Sequence, residues 1–342
     1  MAGDASDVLV QWVAQGADTL WHFWLNQLGA TFLDPGSTLS IAALLCTLLL
    51  AAFVAVPRGR RVMPRLKVWR RALFPRRLLR SASGRADFGY FLFGLLFYGL
   101  FFGWAALSGA PISAAIAAGL ATTFGAFPAL GLPAMASSAI LTLALFLAYE
   151  FAYWLDHYLS HKVPLLWRFH RVHHGAESLS LLTNFRVHPI DTLVFAAIVA
   201  LVLGSVEGVC RYMIGPGLQP WQVGHTNILM LVAAVAVTHL QHSHLWISFG
   251  PKWGRHALGA AHHQIHHSAD PRHHDRNFGS TLALWDRLFG TFHMPAARRE
   301  TLSFGLGEAG QHGWRAALLD PLIGPPRANE PYSAANASSA RS

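Results

Sequence analysis

Long apolar segments separated by short polar stretches set the pattern of this chain. Residues 38–56, 88–107 and 135–154 are each long enough to cross a hydrocarbon core of about 30 Å, which needs roughly 20 helical residues. No charged residue occurs between Phe88 and Tyr149. The pattern predicts membrane-spanning helices, because a backbone in lipid must satisfy its own hydrogen bonds.

Four weaker segments complete the pattern. Residues 112–127 are rich in Ala and Gly and predict a re-entrant or interfacial element, or a further span. Residues 192–206 and 228–240 are near the lower length limit and predict a half-buried hairpin. Residues 8–28 predict an interfacial amphipathic helix. We therefore expect an all-α fold, a multi-span transmembrane bundle with a histidine-rich helical cap that holds a dinuclear metal site.

Composition supports a membrane protein with three regions. The chain is 53% hydrophobic and 13% charged, whereas soluble domains carry about a quarter charged residues. We expect an N-terminal region at 1–87 with an amphipathic helix, a first span and a basic loop. A membrane-embedded catalytic domain follows at 88–300. A C-terminal extension with a disordered tail occupies 301–342.

Charge indicates orientation rather than nucleic-acid binding. Eleven Lys and Arg residues and no acid lie between Arg58 and Arg85, beside an apolar segment. Such a block favours the cytoplasmic side, and no nucleic-acid-binding motif accompanies it. Counting spans from this loop places all the histidine motifs at the cytoplasmic face. Treating 112–127 as a full span would move them to the other face together.

Two further features exclude other classes. Cys46 and Cys210 form no Cys-x-x-Cys motif, which excludes a thiolate metal centre and a disulfide framework. The first residues include Asp4 and Asp7 and no basic run, so we expect no cleaved signal peptide.

Histidine is the main candidate for chemistry, since 18 of the 20 histidines lie between His157 and His293. Residues three and four apart share a helical face, so each motif aims several imidazoles in one direction. Eight imidazoles exceed what one ion can bind, which predicts a two-metal centre. Three motifs supply them: His157 and His161; His170, His173 and His174; His263, His266 and His267.

Other residues are predicted to complete or support this centre. His239 and His242, three apart at the end of an apolar segment, are predicted as further ligands. Glu150 lies at the membrane edge of the first motif and could orient an imidazole or merely solvate a helix end. We place four residues around the ligands, where such groups orient imidazoles: Asp156, His188, Asp275 and Asn277.

The absence of two known metal-binding motifs from the sequence limits the classes of metalloprotein to which the chain could belong. The chain has no Glu-x-x-His pair of the soluble di-iron bundles and no His-Glu-x-x-His protease motif. The residues leave open a redox enzyme, a non-redox zinc-binding or metal-handling membrane protein, and a catalytically silent scaffold. A transport path is disfavoured, because it needs ionisable groups through the bilayer.

The motifs resemble those of the sterol desaturase and fatty acid hydroxylase superfamily over roughly residues 150–294. The resemblance is carried by Trp167-Arg-Phe-His170, Arg186-Val-His-Pro189, Gln241-His-Ser243, His263-Gln-Ile-His-His-Ser268, Asn277-Phe-Gly-Ser-Thr281 and Trp285-Asp-Arg-Leu-Phe-Gly-Thr291. It implies two iron ions, held by the three histidine motifs with additional ligands from the region of His239 and His242.

The resemblance also implies a reaction and partners. The expected activity uses O2 as co-substrate to hydroxylate or desaturate a C–H bond of a lipid. Because the chain has neither a haem site nor a dinucleotide fingerprint, electrons would come from a separate ferredoxin or cytochrome with its reductase. The sequence does not name the lipid.

Overall fold

The computed structural model describes residues 3–55, 76–102, 107–126, 130–215, 217–307 and 312–323, and these ranges are mainly helical. The α-helices are α1 (Gly3–Phe32), α2 (Ile41–Ala55), α3 (Arg76–Arg80), α4 (Ala82–Phe93), α5 (Gly99–Phe102), α6 (Gly109–Phe124), α7 (Ala134–Lys162), α8 (Pro164–His174), α9 (Pro189–Ile214), α10 (Ile228–Ala233), α11 (His239–Gln241), α12 (Gly250–Trp253), α13 (Ala260–His266), α14 (Leu284–Leu288), α15 (Trp314–Leu318) and α16 (Asp320–Ile323). The shorter elements are two 3-10 helices (Leu181–Phe185 and Pro271–His273), two π-helical turns (Gly94–Tyr98 and Ala234–Thr238) and an antiparallel hairpin, β1 (Gln222–Val223) with β2 (Thr226–Asn227).

Two of the described helices are long and apolar enough to cross a membrane. Helices α7 and α9 have 29 and 26 residues, or about 44 and 39 Å at 1.5 Å per residue. Only 33% and 17% of their most apolar windows are buried. A core helix of a soluble protein would be mostly buried, so these helices direct their apolar side chains outward, as spans do.

The helix α9 corrects the prediction of a short element at 192–206. It starts at Pro189, in the first turn, where the His188 side chain accepts a hydrogen bond from the Ile190 backbone. It continues past residue 206 to Ile214, and its last turns include an i,i+4 ion pair between Glu207 and Arg211 at 2.6 Å. The element is therefore long enough to span rather than half of a hairpin.

The other predicted segments are also helical, with different bounds. Residues 112–127 fall mainly in α6, whose 16 residues reach about 24 Å, which favours the re-entrant or interfacial interpretation. The predicted 8–28 helix is the longer α1, and 38–56 contains α2. The 88–107 span is interrupted by a π-helical turn and its residues 103–106 lie outside the described ranges, as do 56–75 of the basic loop and the tail.

Glycines allow α6 to pack closely along α9. A Cβ added to Gly204 would lie 2.7 Å from the Gly109 carbonyl oxygen, and one on Gly208 would lie 2.6 Å from that of Ser113. This Gly-x-x-x-Gly spacing is typical of close helix pairs in membranes. The contact fixes α6 against α9, which in turn packs on α7.

The topology brings the histidine motifs to one end of the two long helices. The C-terminal turns of α7 carry the first motif, and Pro164 then starts α8, which carries the second. The first turn of α9 follows the second motif closely along the chain. Since α7 ends and α9 begins at this end, the motifs lie on the same side of both candidate spans.

Candidate metal centre

Nine buried imidazoles converge in two adjacent clusters. We call them cluster A (His157, His161, His170, His174 and His266) and cluster B (His173, His242, His263 and His267). Within each cluster the candidate ligand nitrogens all lie within 4.8 Å of one another. The clusters adjoin, because the ring of His174 stacks on that of His267 with centroids 4.5 Å apart.

Helical geometry explains how three motifs serve two clusters. Each residue advances about 100° around a helix, so positions i and i+4 are nearly aligned while i+3 points about 100° away from i+4. On α8, His170 and His174 accordingly enter cluster A, and His173 enters cluster B. On the third motif the assignment is reversed, with His263 and His267 in cluster B and His266 in cluster A.

The spacing of the nitrogens fits a metal ion in each cluster. At a metal–nitrogen distance of about 2.1 Å, two imidazoles on one ion lie about 3.0 Å apart at a right angle and about 3.4 Å apart at the tetrahedral angle. Neighbouring Nε2 atoms are 3.1 and 3.2 Å apart in cluster A. In cluster B they are 2.9, 2.8 and 3.2 Å apart.

Hydrogen bonds to the opposite ring nitrogen fix the tautomer of four of these histidines. His157 Nδ1 lies 2.8 Å from the Phe278 carbonyl oxygen, and His266 Nδ1 lies 2.8 Å from that of Arg276. His170 Nδ1 is 3.1 Å from Asp191 Oδ2. Similarly, His173 Nδ1 is 3.3 Å from the Arg186 carbonyl oxygen. With Nδ1 donating, Nε2 keeps its lone pair and faces the cluster, as a metal ligand must.

Burial keeps the imidazoles neutral. Burial and the neighbouring imidazoles hold the pKa of His173, His174, His263 and His267 well below the usual 6.5. Burial also lowers the pKa of His242 and His266 to about 3. Neutral imidazole is the form that binds metal, so these six histidines are ready to act as ligands near neutral pH.

His239 lies outside both clusters, contrary to its predicted role as a ligand. Its Nε2 is 2.7 Å from the carbonyl oxygen of Thr38, so its ring ties the Ala234–Thr238 turn region to the start of α2. His242, three residues later, does join cluster B. The Ala234–Thr238 π-helical turn directly before His239 changes the direction in which the ring points.

The four predicted supporting residues differ in what they contact. Asp275 Oδ1 is 3.9 Å from His161 Nδ1 and its other oxygen binds Lys162. Asp156 is buried beside cluster A. His188 contacts no cluster imidazole and instead caps α9 and lies 3.3 Å from the Leu318 carbonyl oxygen.

Asn277 supports the ligands through the backbone. It adopts a left-handed conformation with φ of 57°, and its side chain bonds the His262 carbonyl oxygen and the His293 amide. The carbonyls on either side of it, of Arg276 and Phe278, are those that orient His266 and His157. Asn277 therefore sets the position of two carbonyls rather than touching an imidazole.

Two buried carboxylates, those of Asp286 and Glu150, accept hydrogen bonds from backbone amides of the loop that follows Asn277. Asp286 accepts hydrogen bonds from the Phe278 and Gly279 amides, each at 2.8 Å. Glu150 accepts from the Thr281 and Leu282 amides at 2.9 and 2.7 Å. Glu150 thus fixes the loop and orients no imidazole.

The sequence reasoning missed Asp191 and Arg186. Asp191 follows the His188-Pro189 motif by two residues and lies in the first turn of α9, which is the signal that could have pointed to it. Arg186 is fully buried and its guanidinium contacts Asp87 at 3.4 Å. Arg186 begins the Arg186-Val-His-Pro189 motif that carried the resemblance, but the motif did not indicate this buried role.

A cavity of about 490 Å³ opens beside both clusters. Four of the clustered histidines line it, His157 and His170 from cluster A and His173 and His242 from cluster B. Aromatic and aliphatic side chains from α4, the Gly94–Tyr98 turn, α7 and α9 supply much of the remaining wall. Its size and apolar character suit part of a lipid chain.

Comparison with known proteins identifies the region around the clusters. Residues 142–291 match the fatty acid hydroxylase family. The chain is 29% identical over 175 residues to the ornithine lipid hydroxylase OlsE of Rhizobium tropici, covering 51% of this chain and 47% of that protein. It is 26% identical over 171 residues to alkylglycerol monooxygenase of Xenopus tropicalis, covering 47% and 32%. A cholesterol 25-hydroxylase-like protein of Danio rerio is 30% identical over 170 residues, covering 44% and 54%.

These matches are partial. The chain spans about half or less of the length of the first two relatives. No solved structure matches it significantly. The matched region nevertheless includes every histidine of clusters A and B. The resemblance seen in the motifs is confirmed, since residues 142–291 match the fatty acid hydroxylase family of the sterol desaturase superfamily.

Proposed function

We propose that this chain is a membrane-bound non-haem di-iron oxygenase that hydroxylates a C–H bond of a lipid, using O2 and external electrons. The observation that carries the proposal is the pair of adjacent histidine clusters beside an apolar cavity. The family and the relatives support it, since their names describe lipid hydroxylases and monooxygenases. Those names also favour hydroxylation over desaturation.

The donor set favours iron over zinc. Cluster A offers five imidazoles, whereas a structural zinc ion takes four ligands in a tetrahedron. All-nitrogen sets with more than four donors suit ions of higher coordination number, and imidazole is a good ligand for iron. Two bound iron ions would supply the activation of O2 needed to attack an unactivated C–H bond.

The protein's own residues orient the imidazole rings of the clusters and exclude water from them. Asp191 and the carbonyl oxygens of Arg276 and Phe278 fix three imidazole rings of cluster A. The aromatic cavity wall would align a lipid chain against the clusters and exclude water, which confines the reaction to the bound substrate. A lipid bound in this way would already have its reacting carbon held close to the clusters, which lowers the entropic cost of the reaction.

We further propose a multi-pass arrangement with the clusters at the cytoplasmic face. The basic residues of the loop at 58–85 favour that side. A lipid could then reach the cavity from the bilayer without crossing water. A separate ferredoxin or cytochrome, with its reductase, would deliver electrons from the cytoplasmic side.

Metal analysis and lipid mass spectrometry test the proposal together. The purified chain should contain about two iron ions, and cells expressing it should accumulate a lipid heavier by one oxygen atom that comes from 18O2. The matched control, His266→Ala, removes a ligand nitrogen of cluster A, so it should lower the iron content and abolish the oxygenated lipid. Zinc in the purified protein with unchanged lipids under O2 would overturn the proposal and favour the non-redox alternative.

A further inference from the structure

The cavity beside the clusters is only partly apolar, and the nature of its polar groups bears on the substrate. Among the described residues that line it there are two carboxylates, Asp156 and Asp191, and several hydroxyl and amide side chains. The same set contains no Lys or Arg. The described lining therefore offers no cationic side chain to pair with a carboxylate or phosphate group of a lipid, and its two carboxylates would repel one.

The two carboxylates differ in what they already bind. Asp191 is engaged by His170 Nδ1 at 3.1 Å. Asp156 is only 7% exposed, and its Oδ1 has no hydrogen-bond partner among the described residues. A buried polar atom without a partner is costly, so this oxygen is suited to accept a hydrogen bond from a bound molecule.

Helical spacing directs Asp156 into the cavity. Tyr149, Tyr153 and Asp156 follow one another at i, i+4 and i+7 on α7, and all three line the cavity. Across from them, Phe195 of α9 packs edge-on against both tyrosine rings, with centroid distances of 6.4 and 5.8 Å. Asp156 therefore ends an aromatic stripe at the level of the adjacent cluster residue His157.

A second unpartnered group faces the same space from another helix. Tyr90 on α4 is 7% exposed, lines the cavity, and its hydroxyl has no hydrogen-bond partner among the described residues. Two unpartnered polar groups on separate elements indicate that the occupant itself carries polar atoms.

We infer that the cavity binds a lipid with a hydroxyl or amine group close to the reacting carbon, and that this group donates a hydrogen bond to Asp156. Lipids whose only polar group is anionic are excluded. The inference rests on the proposed function, because the position of the reacting carbon is set by the adjacent clusters. Asp156 would be a specificity-determining residue and takes no part in holding metal.

Binding without turnover tests this inference. Three probes with the same ten-carbon chain, 1-decanol, decylamine and decanoate, are titrated into the full-length iron-loaded protein without O2, and the thermal unfolding midpoint is followed. The variants are Asp156→Leu, Asp156→Asn and the control Asp270→Asn, which removes a partly exposed carboxylate that lies outside the cavity and pairs with Arg272. A ligand that binds only the folded protein raises the midpoint.

Decanol, decylamine or both should stabilise the wild-type protein and the control, and decanoate should not. Asp156→Leu should weaken binding of the stabilising probe by about 10-fold, as expected for loss of a hydrogen bond that leaves a buried polar group without a partner. Asp156→Asn keeps an oxygen acceptor at this position, so it should weaken binding of the stabilising probe less than Asp156→Leu does.

Equal stabilisation by all three probes, or equal stabilisation of wild type and both Asp156 variants, would overturn the inference. If Asp156→Leu does not fold, the contrast of decanol and decylamine with decanoate on the wild-type protein still decides it. Because no O2 is present, failure of selective binding is separate from failure of lipid hydroxylation, which is measured by product formation.

Discussion

Paired substitutions of His239 and His242 test the assignment of the metal ligands most directly. The two residues are three apart and had equivalent predicted roles, but the structure separates them. His242 Nε2 is 2.9 Å from His173 Nε2 and 2.8 Å from His263 Nε2, inside cluster B. His239 bonds a backbone carbonyl outside both clusters. We therefore expect His242→Ala to lose metal and His239→Ala to retain it.

The expected magnitudes differ widely. Cluster B has four imidazoles, and His242→Ala leaves three. Loss of a group that merely orients a ligand costs about 10–100-fold in metal affinity, so loss of the ligand itself should cost more than about 100-fold. Iron content should fall from about two ions to about one per chain. His239→Ala removes one hydrogen bond, worth about 1 kcal/mol of folding stability, and should leave iron content unchanged.

The assay is iron content per chain by plasma mass spectrometry, before and after dialysis against a graded series of chelator concentrations. Thermal unfolding of the same samples separates metal loss from misfolding. If both variants lost iron equally, or if His242→Ala kept two ions through the chelator series, the division into two clusters would be wrong.

Four further outcomes are expected. Asp191→Asn should weaken iron binding about 10–100-fold in chelator competition, whereas Asp270→Asn at the surface should not change it. Asn277→Ala should destabilise the fold by about 3 kcal/mol in thermal unfolding, and Asn277→Gly by about 2 kcal/mol. Both variants lose two hydrogen bonds, but only alanine is strained at positive φ. Equal losses of stability would refute the contribution of backbone strain. Gly204→Val should lower the yield of folded protein, while Gly119→Ala on the facing helix, with open space around its Cβ, should not. Metal-free protein should lose stability as pH falls below 6.5, because imidazoles such as those of His173 and His263 stay neutral in the folded protein but become protonated in the unfolded chain. The free energy of unfolding should fall by up to about 1.4 kcal/mol per group and pH unit. Iron-loaded protein should lose less stability over the same pH range.

Much of the site followed from the spacing of residues along helices. The histidine motifs lie on α7, α8 and α13, or at their ends, and helical periodicity brings together residues that are far apart in the chain. The division of each His-x-x-His-His motif between two clusters follows from the same periodicity. By contrast, the lengths of α6 and α9 depend on capping and on an ion pair, which a count of apolar residues does not include.

The orientation of the imidazole rings could not be predicted from the sequence, because backbone groups determine it. The groups that orient His157, His173 and His266 are carbonyl oxygens, and any residue type supplies a carbonyl. Their positions depend on a loop held by Asp286 and Glu150 from distant segments. Residue identity alone therefore indicates which side chains could bind metal but not which of them are oriented to do so, and His239 shows the consequence.

Contacts that orient a cluster B histidine extend beyond the matched region. Arg186, whose carbonyl oxygen orients His173, donates through Nε to the Val172 carbonyl at 2.8 Å. Its guanidinium also contacts Asp87 on α4 at 3.4 Å and His312 near the C-terminal helices at 3.1 Å. Removing one partner of a buried ion pair costs about 3–5 kcal/mol. Because Asp87 and His312 both lie outside residues 142–291, the orientation of a cluster B ligand depends on segments that the family match does not include, and a fragment limited to that match would lack these contacts.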